Sequence, residues 1–585
     1  MANPLLLFLA RSAERRRVAV RRRAVAVPQE VPTTDAIFLA LRRIRVPLIV
    51  LILIFSIAVL GLVLIPGRDA DGAPTHLSVL DAFYFISYTA TTIGFGEIVP
   101  FTPAQRMWVT FSIYLTVIGW AYTIGTSLSL LQDEAFREAL GTQRFQRRVR
   151  RLREGFVIVA GYGRTGQLVA RELDQAGRRV VVVDRDRGRI DRLAAEALYA
   201  DVPALEADAA LPGVLGIAGL GSPHCAAVLA LTNHDDTNLA VVLATTLLRP
   251  DVPVIARCHD RLAEDHMRDF GAAAVINPAD RFGGYLVLAL QRPATYRLVT
   301  WLMAGEDAPL PELPDGLATG RWVVAAGDHF AEEVASDLRS AGMAVDVVDP
   351  RATHPDVTGA AGFIAGSEVD TLNIALAEHA RQSDPEVFVA VRQATDAHRS
   401  LVEALDIDSV YTPTDLVANE ALARVVTPLL WGLVEHALGA ENDWSDDMLT
   451  RLTDRCGPTG PHLVVTTLDR RSPAALRWLA HSPLTLGDLL RDPDDRDAPL
   501  GVVPLLWERD GEPTYAPGDD VALQPGDRIL FAGRRDDLDR LRQTLDYESV
   551  VEYVVSGRRL PDGYVWRRLA RARSRTEQLE RARRR

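Results

Sequence analysis

The sequence predicts three parts: a membrane-embedded α-helical module with two spans and a re-entrant loop, Rossmann-like α/β domains behind it, and a small α+β C-terminal lobe. Three observations carry this. Two apolar runs near the N-terminus are each long enough to cross a bilayer. A strand–glycine loop–helix–strand–acid unit follows them. That unit then returns, altered, farther along the chain. At 585 residues the chain exceeds one core and suits three or four domains of roughly 100–200 residues. Its 48% hydrophobic and 7% aromatic content excludes a disordered or fibrous protein.

All 65 basic residues are arginine. No P-loop, Schiff-base or kinase-type lysine can exist, so those enzyme classes fall away. Three distant cysteines, Cys225, Cys258 and Cys456, exclude a disulfide framework or structural zinc site and suit a reducing cytosol. The net charge of −12 is segregated: +9 over residues 1–153 and +7 over 550–585 leave −28 for the middle. A basic head and tail around an acidic body argue against nucleic acid as a partner. The runs Arg15–Arg17, Arg21–Arg23 and 581–585 are expected to be solvated tails beside a membrane.

Residues 1–45 form the basic N-terminal segment, without the cleavage pattern of a signal peptide. Val46–Ile65 is an uninterrupted apolar run able to cross ~30 Å of hydrocarbon, and Met107–Leu131 is a second. Arg42, Arg43 and Arg45 precede the first, and Arg144–Arg153 follow the second. The positive-inside rule puts both termini in the cytoplasm and 67–106 outside a cell membrane. Gly119 and Gly125 fall within the second span. Helix bending and close packing both suit them, with Gly119 favoured as hinge.

Between the spans, Leu77–Ala90 is apolar but too short to cross, and Thr91–Pro100 (TTIGFGEIVP) follows at once. A half-helix ending in a glycine-punctuated segment predicts a re-entrant loop, tolerable at membrane depth only where it lines a cavity or is buried in protein. Alternate glycines let successive carbonyls of Thr92, Ile93, Gly94 and Phe95 point one way and replace the hydration shell of K+. One strand cannot enclose an ion, so four copies are needed. Thr91–Glu97 resembles the potassium-channel selectivity filter, with Phe95 for the commoner tyrosine and Glu97 for the commoner aspartate. The resemblance implies a homotetrameric pore module over 46–131, its pore helix and filter at 77–97, and a selectivity filter of Thr92, Ile93, Gly94, Phe95 and Gly96. No spaced arginines mark a voltage sensor.

After an arginine-rich linker (132–153), the strand Phe156–Ala160 leads into Gly161-x-Gly163-x-x-Gly166, a helix, and the strand Val180–Val183 ending in Asp184. This is the dinucleotide-binding fingerprint in its required context. The glycines allow close approach to phosphate at a helix N-terminus, and Asp184 is placed for ribose hydroxyls. Expected cofactor-binding residues are Gly161, Gly163, Arg164, Thr165, Gly166, Asp184 and Arg185. Residues 154–300 resemble the RCK domain, the regulator of potassium conductance, including Ala207-Asp208-Ala209 and Asp236-x-Asn238. That resemblance puts Asp208 near the adenosine end of an adenine nucleotide, NAD(H) leading. An acidic helix cap is the other account of Asp208.

A second copy, 320–440, begins at Trp322. Asp349 matches Asp184, while Asn373, Arg392 and Pro413 match Asn238, Arg257 and Pro278 at a constant offset of 135. The stretch that would hold an Asp208 counterpart is missing. Gly327 survives in the loop, but His329 and Ala331 replace the other glycines, so this copy is expected to hold no nucleotide. Residues 462–545, with strands around Val502–Trp507, Val521 and Arg528–Ala532, resemble the C-terminal lobe that often follows RCK domains. Residues 550–585 form the basic tail. The whole resembles a prokaryotic two-span potassium channel with tandem RCK domains, gated by a small molecule or ion. Calcium is a second candidate regulator without a located site. The alternatives are a membrane-anchored NAD-dependent oxidoreductase, for which no acid–base pair is evident, and a non-selective cation channel.

Overall fold

The computed structural model describes residues 26–28, 34–68, 73–98, 102–132, 134–313, 317–405 and 407–559. The basic runs Arg15–Arg17, Arg21–Arg23 and 581–585 lie outside these, as do Val99 and Pro100.

Among the described residues the membrane module has three helices, α1 (Thr34–Leu64), α2 (Val79–Ala90) and α3 (Pro103–Gln132), and α4 (Glu134–Val149) follows them. Two are long and apolar enough to cross a membrane, over Arg45–Leu64 and Pro103–Ser129. Helix α1 starts well before Val46, because Leu39–Arg43 are good helix formers that extend the span. Helix α2, at about 18 Å, cannot cross. Ser78 caps it, its Oγ accepting the Asp81 N–H at 3.1 Å. Close approach of α1 and α3 is set at Gly61, where a Cβ would lie 2.1 Å from the Trp108 ring. That indole donates to the Ala58 carbonyl at 3.0 Å. Hydroxyls inside α3 donate to their own helix: Thr116 to Ser112 O at 2.7 Å, Thr123 to Gly119 O at 2.8 Å. Neither hydroxyl asks for a partner from lipid.

The expected linker is mostly helix. Phe145 and Val149 of α4 bury into the first α/β core, and Arg148 pairs with Asp201. Val27 packs on that same core, with the Pro28 carbonyl against Gly216.

The first α/β domain is a six-stranded parallel sheet, β1 (Phe156–Ala160), β2 (Arg179–Asp184), β3 (Ala204–Glu206), β4 (Cys225–Ala230), β5 (Val254–Arg257) and β6 (Ala274–Ile276), in the order β3-β2-β1-β4-β5-β6. Its helices include α5 (Arg164–Gln175), α6 (Arg187–Ala195), α7 (Asp235–Leu248) and α8 (Arg261–Asp269). The order reverses between β1 and β4, which opens a crevice at the carboxyl ends of those strands. Helices α9 (Pro278–Gln291) and α10 (Pro293–Ala304) then lead away.

The second domain repeats this with one strand fewer: β7 (Arg321–Ala325), β8 (Ala344–Val348), β9 (Gly362–Ala365), β10 (Phe388–Arg392) and β11 (Ser409–Tyr411), ordered β8-β7-β9-β10-β11. The absent strand is the counterpart of β3. Its helices include α11 (His329–Ser340), α12 (Asp370–Ser383), α13 (Pro413–Val426) and α14 (Pro428–Gly439). The copies exchange helices reciprocally. Phe282 and Leu286 of α9 pack with Phe330 and Val334 of α11, while Val417, Ala418 and Ala421 of α13 pack with Val169, Ala170 and Leu173 of α5. One bond recurs in both. Asn238 Nδ2 donates to Arg257 O at 2.8 Å, and Asn373 Nδ2 to Arg392 O at 2.8 Å.

Helix α15 (Asn442–Cys456) joins α10 and α14 over one face of the C-terminal sheet. That sheet is antiparallel, β12 (His462–Thr467), β13 (Val502–Arg509), β14 (Glu512–Tyr515) and β15 (Arg528–Gly533), ordered β12-β15-β13-β14. Two expectations change here. Val521 lies outside the strands, beside the isolated bridge at Ala522. The lobe also runs beyond Leu545, because α16 (Arg535–Asp546) is followed by α17 (Glu548–Ser556), whose Val551 belongs to the lobe's core. Residues 550–556 are therefore lobe rather than tail.

Candidate functional site

Behind α2 the chain turns sharply. Thr92, Gly94 and Gly96 have φ of 60°, 61° and 79°, whereas Ile93 and Phe95 stay on the ordinary side. Alternating hand along a backbone turns successive peptide groups the same way, which gathers carbonyls on one side. A Cβ on Gly94 would meet nothing within 4 Å, so its constraint is the backbone conformation itself. The turn hangs from the end of α2: Ile93 N–H donates to Tyr88 O at 3.0 Å and Thr92 N–H to Thr89 O at 3.1 Å. Tyr88 also braces it from behind, donating its hydroxyl to Ile98 O at 3.2 Å and meeting the Phe95 ring edge-on at 5.8 Å. Tyr84, one helical turn earlier, lies close to Glu97. These two tyrosines were missed in the sequence. Their spacing of one helical turn, facing Phe95 and Glu97, is the signal that could have found them. Gly119 sits in an unbroken α3, where a Cβ would lie 2.7 Å from Ile54 Cδ1. Gly125 has nothing within 4 Å.

The glycine loop lies at the crevice of the first sheet. Gly161 has φ +99°, and a Cβ there would lie 2.8 Å from Thr232 N. A Cβ on Gly166 would lie 2.0 Å from Gly161 O, so helix and loop touch only because both are glycine. Gly163 is the N-cap of α5 and the least crowded: its nearest side-chain atom is Arg189 Nη1, at 3.7 Å. This is a cradle that accepts a phosphate at a helix N-terminus. Asp184, 5% exposed, ends β2 and is already engaged. It accepts the Tyr162 N–H at 2.5 Å, the Asp186 N–H at 2.8 Å and Arg189 Nη1 at 3.2 Å. Ala207 N–H donates to Asp184 O at 3.0 Å, which brings Asp208 alongside; its carboxylate accepts the Ala210 N–H at 2.9 Å, as a cap does.

Other expected ligands point elsewhere. Arg164 donates to Ala394 O of the second copy, Arg185 meets His234, and buried Thr165 faces Arg257 Nη1 at 3.5 Å. In each case a nearby polar group of the protein takes the side chain. Arg189 was not foreseen, although it lies one helical turn beyond the Asp186 cap. Beside the cradle, Asp235 accepts the His259 ring at 3.0 Å and the His259 N–H at 3.0 Å. Burial raises the Asp235 pKa, but the His259 bonds outweigh it and leave the group below its ordinary value. Among the described residues no group of three or more His, Cys, Asp or Glu is set to hold a metal ion, so calcium gains no site here.

The second loop differs. Asp328 is the N-cap of α11, and its Oδ2 lies 2.8 Å from Arg392 Nη1. A carboxylate thus stands where an anion would bind. Asp349 accepts the Arg351 N–H at 2.9 Å, and Gly366 is closed over by the Phe330 ring.

Residues 47–133 match the family model described as an ion channel, and 157–278 match the TrkA-N domain model. The chain thus carries an ion-channel module followed by a TrkA-N domain. The chain is 27% identical over 252 residues to an uncharacterized protein of Methanothermus fervidus, covering 43% of this chain and 37% of that one. It is 25% identical over 267 residues to potassium channel protein 1 of Methanocaldococcus jannaschii, covering 45% and 75%. The match thus spans little more than a third of the first relative and three quarters of the second. The solved GsuK channel bound to NAD is 14% identical, with 88% of this chain and 99% of that one covered and a TM-score of 0.38. Nothing in these relatives favours the oxidoreductase alternative.

Proposed function

We propose that four copies of this channel enclose a potassium-selective pore in the cell membrane, opened or closed by an adenine nucleotide at the first RCK domain. The observation that carries the reading is the alternation of positive φ at Thr92, Gly94 and Gly96 beneath a half-length helix. Four such turns around an axis supply rings of carbonyls from Thr92, Ile93, Gly94 and Phe95 to K+. Ile93 and Phe95 are 59% and 62% exposed on the single chain, the surface a fourfold neighbour would cover. Both termini and the RCK domains are cytoplasmic in this reading, by the arginines flanking the spans.

Gly161, Gly163 and Gly166 would hold the nucleotide's phosphates, and Asp184, once released by Arg189, its ribose. The ligand is NAD(H) before NADP, because an acid at the ribose end disfavours a 2′-phosphate. The second copy holds none in this reading, since the acid Asp328, paired with Arg392, stands at the N-cap position of the helix that would receive a phosphate. Movement reaches the pore through α4, whose Phe145 and Val149 are locked into the first domain's core. A ligand preferring one ring conformation by ~1–3 kcal/mol changes the open-to-closed ratio by roughly 5- to 150-fold.

Single-channel recording of purified protein in planar bilayers tests both halves. The reversal potential should follow the potassium gradient, Gly94→Ala should abolish conduction, and NAD(H) should shift open probability. A reversal potential indifferent to potassium would refute the pore reading, and unchanged gating across an NAD(H) titration would refute the ligand reading.

A further inference from the structure

Arg257 ends β5, and its counterpart Arg392, at the offset of 135, ends β10. Each reaches the N-terminal turn of the first helix of its copy, but the two are neutralised differently. Arg392 has two acids. Its Nη1 lies 2.8 Å from Oδ2 of Asp328, the N-cap of α11, and its Nη2 lies 3.9 Å from Glu368 Oε1. Arg257 makes no ion pair among the described residues. Its Nη1 faces Thr165 Oγ1 at 3.5 Å and Asn233 Oδ1 at 3.1 Å, and its Nη2 lies 3.1 Å from His259 Nε2. A ring nitrogen that faces a guanidinium is the unprotonated one, so His259 keeps its proton on Nδ1, for Asp235 at 3.0 Å. Asp235 also accepts the His259 and Asp260 N–H groups. Burial pushes the Arg257 pKa below its ordinary value.

The repeat shows what differs around the two arginines. Gly163 is the N-cap of α5 as Asp328 is of α11, and Asn233 matches Glu368 at the offset of 135. Thr165 stands in α5 where Phe330 stands in α11, and the Phe330 ring centroid lies 5.2 Å from the Arg392 guanidinium carbon. The first copy therefore keeps the guanidinium but has uncharged residues in place of both acids and a hydroxyl in place of the ring. A part-buried guanidinium without an acid is costly unless another group brings the negative charge.

We infer that Arg257 binds the phosphate groups of the ligand held at Gly161–Gly166, which take the place that Asp328 fills in the second copy. The inference rests on the nucleotide reading and adds to it the side chain that supplies the charge. A guanidinium fork matches two oxygens of a phosphate, and the open N–H groups at the start of α5 take others. The absent Cβ at Gly163 leaves room for the phosphate between fork and helix, and the Thr165 hydroxyl adds a donor beside it. Asp328 and Glu368 are then built-in substitutes for that phosphate, which keep Arg392 neutralised without a ligand. A ligand that lacks a phosphate gains nothing from Arg257.

Sodium pyrophosphate and NAD are the probes, titrated by calorimetry into the full-length channel in detergent, with adenosine as the phosphate-free control. Arg257→Gln should weaken both probes by roughly tenfold or more and leave adenosine unchanged. Arg257→Lys keeps the charge without the fork and should restore part of the loss. Gly163→Asp gives the first copy the second copy's acid. Gly163 has extended backbone as Asp328 does, and the atom nearest to an added Cβ is 3.7 Å away, so this variant should fold and lose both probes. It keeps the test decisive if Arg257→Gln misfolds, as thermal unfolding would reveal. Wild-type affinity for either probe in folded Arg257→Gln or Gly163→Asp would overturn the inference. An equal loss of adenosine and NAD would overturn it too, by making Arg257 a brace of the loop. Pyrophosphate binding that depends on Arg257, in a channel without affinity for NAD, would instead refute the nucleotide reading and leave Arg257 as an anion site. No heat from either probe in the wild type would overturn both.

Discussion

The two RCK copies share a sheet order, an Asn238/Asn373 clamp and reciprocal helix exchange, yet only the first keeps all three glycines of its loop. In the first, Gly166 is obligatory because its helix lies on Gly161 O. In the second, Ala331 occupies the same place, buried, with its Cβ accommodated. The scaffold therefore does not require the glycine fingerprint; close approach to an anion does. At the matching place the second copy carries an acid, Asp328, with Arg392 as its partner. Its sheet also ends one strand early, which removes the wall that carries Asp208 in the first.

The largest effect should come where the two copies are joined. Glu420 is 3% exposed and held by Arg281 and Arg424. Burial alone would raise its pKa, but the two guanidinium groups bring it below the ordinary value. Arg281→Ala leaves that buried carboxylate to Arg424 alone and should cost at most about 3–5 kcal/mol. Because the Glu420 pKa is lowered, the stability it contributes is present above the ordinary carboxylate range and lost as pH falls through it. Acid titration of wild type and variant by thermal unfolding reads both. An Arg281→Ala protein as stable as wild type would mean that the copies are held by their apolar helices alone.

Next in size is Gly166→Ala. The added Cβ drives α5 off Gly161 O and should abolish nucleotide binding, with about 1–3 kcal/mol of overpacking. The mirror change, Ala331→Gly, should leave the second copy without a ligand, because the acid Asp328 still occupies the N-cap position of its helix. Calorimetry on the whole channel should accordingly find one nucleotide per chain. Two per chain would refute the asymmetry outright.

A milder version uses the paired acids. Asp184→Ala should weaken nucleotide binding and shift the ligand dependence of opening while ion selectivity stays as it was. Asp349→Ala should do neither. Equal effects of the two would show that the copies share one ligand.

Much of this was legible beforehand because its signals are local. The half-helix with its glycines, the fingerprint before Asp184, and the 135-residue repeat all lie within short stretches of chain. The rest depends on residues far apart in sequence. Arg189 turning back on Asp184 and Asp186, Arg164 reaching Ala394, and Tyr88 bracing Phe95 follow from three-dimensional packing that periodicity does not encode. The lobe boundary slipped for a related reason: α17 reads as an amphipathic tail until Val551 is seen inside the lobe's core.

The smallest effect concerns pH at the α8–α9–α11 contact. Asp337 of α11 faces Asp280 of α9, and both share Arg261 of α8 with Glu333. Burial first, and Asp280 second, push the Asp337 pKa up to about 8. Nearby Glu264, paired with Arg268, is pushed up to about 7, again chiefly by burial. A carboxylate whose folded pKa lies above its unfolded value binds its proton more tightly in the folded state. Folding is therefore favoured at low pH, and the advantage drains as pH rises from the ordinary carboxylate range through about 7 for Glu264 and about 8 for Asp337. This runs opposite to Glu420, so the joint between copies should be firmest in mildly acidic solution. Asp337→Asn keeps the shape and removes the ionisation, and should flatten the alkaline side of the unfolding profile while leaving the acid side to Glu420. A variant profile that falls between about pH 6 and 8 as steeply as wild type would move the titrating group elsewhere.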